Sequence, residues 1–317
     1  MFRVAGCAGA LVFVIVLGRY LVSRIASPWN ATRLRTLEPV SETQAAQAVQ
    51  ELRIGTFNIA HGRGTAASNW GGGDRATRLA RLREIARLLR DQRLDVAVLN
   101  EVDFSSVWSG HVNQAEFIAR AAGFPFWVEQ RNFDATIPFC SVQFGNAVLS
   151  LHPLSDVELV DLPAYSQFES ALAGKKKAVL CTLKISADTS VRLLAVHLEH
   201  RTERVRVQSA RLIDRICRES ELPVIVAGDL NSSPLEYPLV EVDDSGESAV
   251  ALLLQQGGFA ARLDARPGPD EFTFHSLRPD RVIDWILVKE PWKIVSKKVP
   301  PAELSDHRPV IARIIKE

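Results

Sequence analysis

The chain has 317 residues, of which 47% are hydrophobic and 24% charged, the balance of a globular protein with a full hydrophobic core. Its net charge of +1 excludes an overall positive field that would draw the protein onto nucleic acid. The near-neutral charge therefore weakens the case for a DNA substrate but does not rule one out. The cysteines are Cys7, Cys140, Cys181 and Cys217, and no two have the CxxC spacing. The sequence therefore predicts neither a zinc site nor a disulfide framework, and buried thiols are favoured.

The first 26 residues are dominated by an apolar stretch. Residues 4–18 carry no charge, and after Arg19 the sequence continues with Tyr20-Leu21-Val22, close to the roughly 20 apolar residues that span a bilayer. We therefore predict a single-pass transmembrane helix within residues 1–26 and a membrane localisation. A cleaved secretory signal is the alternative, although no clear cleavage pattern follows. The flanking arginines leave the orientation in the membrane open.

The next segment, residues 27–50, contains prolines and a polar stretch and is predicted to be a linker, with a short helix at its end. The folded domain is predicted to span residues 51–317. It begins with a strand over residues 52–59 that carries Asn58 near its end. A helix is predicted over residues 74–93. Its many arginines favour a solvated face over a nucleic-acid site, because acidic residues are interspersed and aromatic residues are missing from the pattern.

A second strand, over residues 95–100, ends at Glu101. Further helices are predicted over residues 114–122 and 204–219. Further strands are predicted over residues 145–150, 178–185, 191–198, 222–227 and 282–288, and a last strand opens at residues 305–310. Strands therefore dominate, with a few helices set between them, which predicts an α+β sandwich.

Polar residues recur at the ends of these strands. They are Asn58, Glu101, His197, Asp229, Asn231, Asp284, Asp306 and His307. Each of them alone is explained as a turn former, a cap or a satisfied polar group, but their joint placement is not. Carboxylate and amide oxygens without cysteine suit Mg²⁺, or Mn²⁺, better than zinc. The pattern therefore predicts a metal-assisted site at the strand ends.

These residues lie in a series of short motifs. In chain order the motifs are Thr56-Phe57-Asn58, Asn100-Glu101, Gly145-Asn146-Ala147-Val148-Leu149-Ser150, His197-Leu198, Gly228-Asp229-Leu230-Asn231, Ile283-Asp284-Trp285-Ile286 and Ser305-Asp306-His307-Arg308-Pro309. The ordered set resembles the endonuclease/exonuclease/phosphatase superfamily over about residues 50–317. The resemblance implies a four-layer αββα sandwich of the DNase I type, with a metal-dependent phosphoesterase site at one edge.

The resemblance also implies roles for the site residues. Glu101 is similar to the main Mg²⁺ ligand of the superfamily, with Asn58 and Asp306 beside it. A bound cation of this kind neutralises charge on the phosphoryl oxygens during hydrolysis.

The remaining residues are implied to carry the proton transfer and to position the phosphate. His307 resembles the general base, and Asp284 resembles the carboxylate that fixes its tautomer. Asp229 and Asn231 are expected to position the attacking water and the phosphate. His197 is expected to contact a non-bridging phosphate oxygen.

Departures from the superfamily pattern bear on the substrate. Asn100 stands where many members have glutamine. His197 stands where the apurinic-site endonuclease branch has tyrosine, which argues against abasic-site repair. We also predict substrate contacts from Asn146, from His275, and from Trp108 in the loop that follows Glu101.

The sequence thus predicts a membrane-anchored, Mg²⁺-dependent phosphoesterase that hydrolyses phosphodiesters, with a nuclease-type substrate slightly favoured. A phospholipase C- or sphingomyelinase-like activity and an inositol-phosphate phosphatase activity are alternatives, and a membrane anchor would favour a lipid. A catalytically silent binding module is a further alternative from a different class. The expected partners are nucleic acid or phospholipid, and no protein partner is predicted.

Overall fold

The computed structural model describes residues 12–23, 32–37, 51–138, 140–166, 174–263 and 267–317. Residues 12–23 form helix α1. Among the described residues no helix is long and apolar enough to cross a membrane. The predicted single-pass membrane localisation is therefore wrong.

Part of the predicted linker is a strand. Thr32–Thr36 form strand β1, which pairs with a later strand at the edge of a sheet. The rest of residues 27–50, including the short helix predicted at the end of the linker, lies outside the described residues except for Leu37. The proposed boundaries of the domain stay predictions.

The described strands form two sheets. The larger sheet has the order β1, β4 (Phe126–Ile137), β5 (Cys140–Ser150), β3 (Val96–Asp103), β2 (Glu51–Asn58), β12 (Val310–Lys316) and β11 (Trp292–Lys298). The smaller sheet has the order β10 (Asp284–Leu287), β9 (Val224–Asp229), β8 (Ser190–His197), β7 (Lys177–Lys184) and β6 (Leu154–Asp161). One parallel pair lies inside each sheet, β2 with β3 and β8 with β9. The carboxyl ends of both pairs therefore carry the polar residues that the sequence placed at strand ends.

Helices cover the outer face of each sheet. They are α2 (Arg75–Asp91), α3 (Gln114–Ala122), α4 (Glu203–Glu219) and α5 (Ala249–Gln255). Helix α2 starts at Asp74, whose carboxylate accepts a hydrogen bond from the backbone N–H of Thr77 at 2.8 Å. Most of the α2 arginines face solvent as predicted, but Arg78 is buried and donates to the carbonyl of His61 at 2.9 Å. Helix α2 thus supports the loop that follows β2.

Alternation along the strands builds three apolar layers. Ile54 and Leu193 face the space between the two sheets and belong to the central core. Phe57 packs with α2 and α3 on the outer side of the larger sheet. Val196 packs with α4 and α5 on the outer side of the smaller one. The layers are helix, sheet, sheet and helix, as the sequence predicted.

A buried ion pair fixes helix α4 against the smaller sheet. Arg206 is 1% exposed and donates to Glu203 at 2.5 Å and to the carbonyl of Glu199 at 2.9 Å. The Glu203 carboxylate also accepts from the hydroxyl of Ser232 and from the backbone N–H of Ala249, both at 2.6 Å. This pair therefore joins α4, the loop after β9 and the start of α5.

Candidate active site

The candidate site lies where the two parallel strand pairs end. The carboxamide of Asn58, at the end of β2, donates to the Asp229 carboxylate, at the end of β9, at 3.0 Å. The carboxamide oxygen of Asn58 accepts from the backbone N–H of Ala60 at 3.0 Å. Asn58 and Asp229 are each 1% exposed. One hydrogen bond therefore joins the two sheets at the floor of the site.

A chain of amides supports this floor. Asn100 accepts from the backbone N–H of Asp229 and donates to the carbonyl of Val196 and to Asn146, each at 2.9 Å. Asn146 then donates to Gln130 at 2.6 Å. Asn100, Asn146 and Gln130 are fully buried. The departure from glutamine at position 100 thus falls on a residue that links the sheets.

His307 forms a dyad with Asp284 beside Asp229. Its Nδ1 lies 2.9 Å from a carboxylate oxygen of Asp284, and its Nε2 lies 3.7 Å from the Asp229 carboxylate. Asp284 and Asp229 are paired across β10 and β9, which brings the carboxylates together. Burial alone would lower the pKa of His307, but Asp284 and then Asp229 outweigh it and raise that pKa to about 10. Burial, and then Asp284, raises the pKa of Asp229 to about 6.

His197 faces Asp229 from the other side. Its Nε2 lies 3.7 Å from the Asp229 carboxylate and 2.9 Å from the ammonium of Lys176. Burial, and then Lys176, holds the pKa of His197 well below its usual value, so the imidazole is neutral and accepts from the ammonium. The backbone N–H of Asn231 donates to Asp229 at 2.9 Å, and its carboxamide donates to the carbonyl of Leu198 at 3.2 Å.

Glu101 is turned into the site by an irregularity in β3. The register with β5 shifts between Leu99 and Val102, and Glu101 has a φ of 51°. Its carboxylate lies 3.2 Å from the guanidinium of Arg63 and 3.5 Å from Nε2 of His61. Burial would raise the pKa of Glu101, but His61, and after it His197 and Arg63, hold that pKa below its usual range. Glu101 is therefore ionised.

Four of the eight described non-glycine residues with a left-handed backbone lie at the site. Ala60, His61, Glu101 and Asn231 all have φ between 48° and 53°, a region that non-glycine residues rarely adopt. Such conformations persist where the surrounding structure holds them, and they cluster at functional sites. The strain therefore marks the same end of the sandwich as the polar side chains.

Residues 55–307 match the Endonuclease/Exonuclease/phosphatase family. The chain belongs to this family. No curated protein sequence matches it significantly.

Solved structures agree with this membership. An endonuclease/exonuclease/phosphatase from Beutenbergia cavernae is 19% identical, with a TM-score of 0.62 over 84% of this chain and 72% of that one. One from Bacteroides vulgatus is 20% identical, with a TM-score of 0.61 over 84% and 99%. D. rerio TDP2 complexed with single strand DNA product is 15% identical, with a TM-score of 0.58 over 83% and 98%. Likeness at these identities shows the shared fold.

Two groups of side chains in this family member have the chemistry to hold a cation. Ligand atoms of Asp229, Asp284 and His307 lie within 4.8 Å of one another. The Nδ1 of His307 is already bonded to Asp284, which suits a proton-transfer dyad better than a metal centre. Glu101 and Asp306 form the second group and already share one cation, the guanidinium of Arg63. Glu101 and Asp306 thus share a positively charged partner, and carboxylate oxygens are also ligands that Mg²⁺ prefers.

The three predicted substrate contacts occupy different positions. Asn146 is buried below the floor of the site, where its carboxamide oxygen accepts from Asn100. The indole N–H of Trp108 donates to Asp103 at 2.9 Å, so Trp108 holds a side chain of the site. His275 is partly buried, and its neighbour Phe274 packs on His307 with ring centroids 4.9 Å apart. None of these contacts with substrate is tested, and they stay predictions.

Two residues of the site, Arg63 and His61, were not predicted from the sequence. The Nδ1 of His61 lies 2.8 Å from Asp103. The interaction with Asp103 raises the pKa of His61 although burial opposes it. Cationic residues in a glycine-rich turn directly after the strand of Asn58 were the available signal.

An open cleft of about 230 Å³ leads to these groups. Its walls include Glu101, Lys176 and His197 together with the rings of Phe144 and Tyr165. The cleft thus combines cationic and imidazole groups with aromatic surface next to the ionised Glu101.

Proposed function

We propose that this chain is a divalent-metal-dependent phosphodiesterase. One observation carries the proposal: the Asp284–His307 dyad faces Asp229 in the same site as two carboxylates, Glu101 and Asp306, that share a cation. Hydrolysis of a phosphodiester needs a water that loses a proton, neutralisation of the phosphoryl oxygens and protonation of the leaving oxygen. The described side chains offer a group for each of these needs.

Proton transfer is assigned to His307, Asp284 and Asp229. Asp284 fixes the imidazole by holding its Nδ1, so Nε2 faces Asp229 and the space for water. With a pKa of about 10, His307 carries a proton at neutral pH, and Asp229, with a pKa of about 6, is then ionised. The pair therefore holds one proton between them and titrates as a unit. As the water oxygen bonds to phosphorus, a water proton passes to the ionised Asp229 of this pair, and the bond between phosphorus and the ester oxygen breaks. The leaving oxygen takes up a proton that the pair releases through solvent, which returns the pair to its starting state.

The phosphate is positioned by the remaining side chains. His197 and Asn231 line the same space as Asp229, and Lys176 brings a positive charge to the cleft wall. A divalent cation bound by Glu101, Asp306 and Asn58 would neutralise charge on the phosphoryl oxygens and stabilise the leaving oxyanion.

Nucleic acid is the proposed substrate class. Phe144 and Tyr165 offer ring surface for bases beside the ammonium of Lys176, which is the combination that single-stranded nucleic acid uses. The D. rerio TDP2 structure, which shares this fold, holds a single strand DNA product. A silent binding module is disfavoured because Glu101, Asp229 and His307 are all retained in one site.

Hydrolysis assays on the full chain test the proposal. We expect Mg²⁺- or Mn²⁺-dependent cleavage of single-stranded DNA or RNA, and slower or no cleavage of sphingomyelin, inositol phosphates and phosphomonoesters. His307→Gln should abolish cleavage. His152→Gln is the matched control, because His152 follows β5 at the opposite end of the larger sheet, near Asp95. Turnover unaffected by chelation, or retained in His307→Gln, would contradict the proposal, and preferred turnover of a lipid would replace the substrate class.

A further inference from the structure

Arg63 joins the two carboxylates that the superfamily resemblance assigns to the metal. One of its terminal nitrogens lies 3.2 Å from Glu101 and the other lies 2.6 Å from Asp306. The Arg63 side chain is 15% exposed, and the carboxylates are 26% and 15% exposed. The guanidinium is therefore a partly desolvated cation with one arm on each acid.

The loop holds this guanidinium in place. The Nε of Arg63 donates to the carbonyl of Ala66 at 2.8 Å, and a terminal nitrogen lies 3.4 Å from the carboxamide oxygen of Asn69. Gly72 lies so close that a Cβ there would come within 2.6 Å of the Cα of Arg63. Gly64 forms a bridge with Ser305, next to Asp306. Because both the guanidinium and its backbone are fixed, the placement on the acids is a built feature of the loop.

We propose that Arg63 is an internal competitor of the divalent cation, one that sets how much metal the enzyme needs. This inference rests on the proposed metal-dependent function. The oxygens of Glu101 and Asp306 that accept the guanidinium are oxygens that a metal would use, and two cations a few ångströms apart repel each other. A metal must therefore displace or crowd Arg63, and Arg63 lowers metal affinity while it keeps both acids paired at low metal concentration.

A purely supporting role makes a different prediction. If Arg63 only held the loop, its loss would lower thermal stability and leave metal affinity unchanged or weaker, because the acids would be less well placed. Competition predicts the opposite direction for affinity. The sign of the change in metal affinity therefore separates the two roles, independently of activity.

The test is calorimetric titration of Mg²⁺ and Mn²⁺ into chelator-stripped full-length protein. We expect Arg63→Gln to bind at least about tenfold more tightly than the wild type, since a neighbouring positive charge has been removed. Arg87→Gln is the matched control, because Arg87 is exposed and pairs with Glu84 on α2, and it should leave affinity unchanged. The tighter binding should disappear when Glu101→Gln is added to Arg63→Gln.

Two results would overturn the inference in different ways. In the first, the wild type binds metal and Arg63→Gln binds it equally or more weakly. Arg63 is then not a competitor, and the proposed function is unaffected. No binding by either protein removes the proposed function as well. Arg63→Ala serves if Arg63→Gln does not fold. It also removes the positive charge, so metal affinity should still rise. An unchanged affinity would overturn the inference.

Discussion

Replacing Asp284 with asparagine tests the dyad with very little change in shape. Asp284 is 1% exposed and its carboxylate lies 2.9 Å from Nδ1 of His307. A hydrogen bond to a charged group contributes about 1.5–3 kcal/mol, and about 1.4 kcal/mol corresponds to a factor of ten in rate. We therefore expect kcat to fall by about 10- to 150-fold, because the protonated His307 ring is no longer held in place by a charged partner. KM should change little.

Hydrolysis of bis(p-nitrophenyl) phosphate, followed by the release of nitrophenolate, provides the assay for Asp284→Asn, His307→Gln and the double variant. Because the two side chains act as a unit, the double variant should be no slower than His307→Gln alone. Asp280→Asn makes the same chemical change at a partly exposed pair with Arg281 and should leave kcat unchanged. The melting temperature of each variant separates a loss of chemistry from a loss of folding.

The dyad would be refuted by either of two results. The first is a kcat for folded Asp284→Asn within about threefold of the wild type, since a bond of this strength is worth at least tenfold. The second is a double variant whose loss equals the product of the single losses, because independent groups contribute independently.

Three further predictions concern stability and reactivity. Arg206→Ala should lower the free energy of unfolding in urea by about 3–5 kcal/mol, because it leaves the buried carboxylate of Glu203 without its charged partner. Arg204 is exposed on the same helix, so Arg204→Ala should lower that free energy little. Equal losses in the two variants would contradict this account. Gly228→Ala should lower the free energy of unfolding by about 1–3 kcal/mol and reduce activity, because the added Cβ would lie 1.9 Å from a carbonyl oxygen of strand β8. An unchanged melting temperature would argue against the close approach of the strands. Burial raises the pKa of Cys181 and of Cys217 to about 12. Both thiols should therefore resist iodoacetamide at pH 8 in the native protein and react with it in denaturant, which peptide mass mapping can measure. Rapid alkylation of either thiol in the native protein would refute their burial.

The polar strand ends were predictable because their signal is local. Asp229 and Glu101 each follow a run of apolar residues, and such a run specifies a buried strand without knowledge of its neighbours. The two-sheet sandwich was also predictable, since the motifs occur in a recognisable order. Which strands pair is set by contacts between distant residues. The strands β1, β4, β6 and β11 were accordingly not predicted.

The environment of individual side chains was harder to predict. Arg63 meets an acid 243 residues away, so nothing near it in the sequence indicates its partner. Asn146 belongs to a motif, but a motif gives the identity of a residue and not its burial. At the N-terminus, hydropathy described an apolar stretch, but among the described residues no helix is both long and apolar enough to span a membrane.

The hydrogen bonds that join the site connect parts of the chain that are far apart. Asn58 meets Asp229 across 171 residues, and its carbonyl meets the hydroxyl of Ser305 across 247. Such long-range contacts form late, because chain entropy must be lost before they can stabilise anything. Helix α2, in contrast, is held by local bonds. On refolding, hydrolysis should therefore recover after the helical circular dichroism signal, and on mild heating it should be lost first.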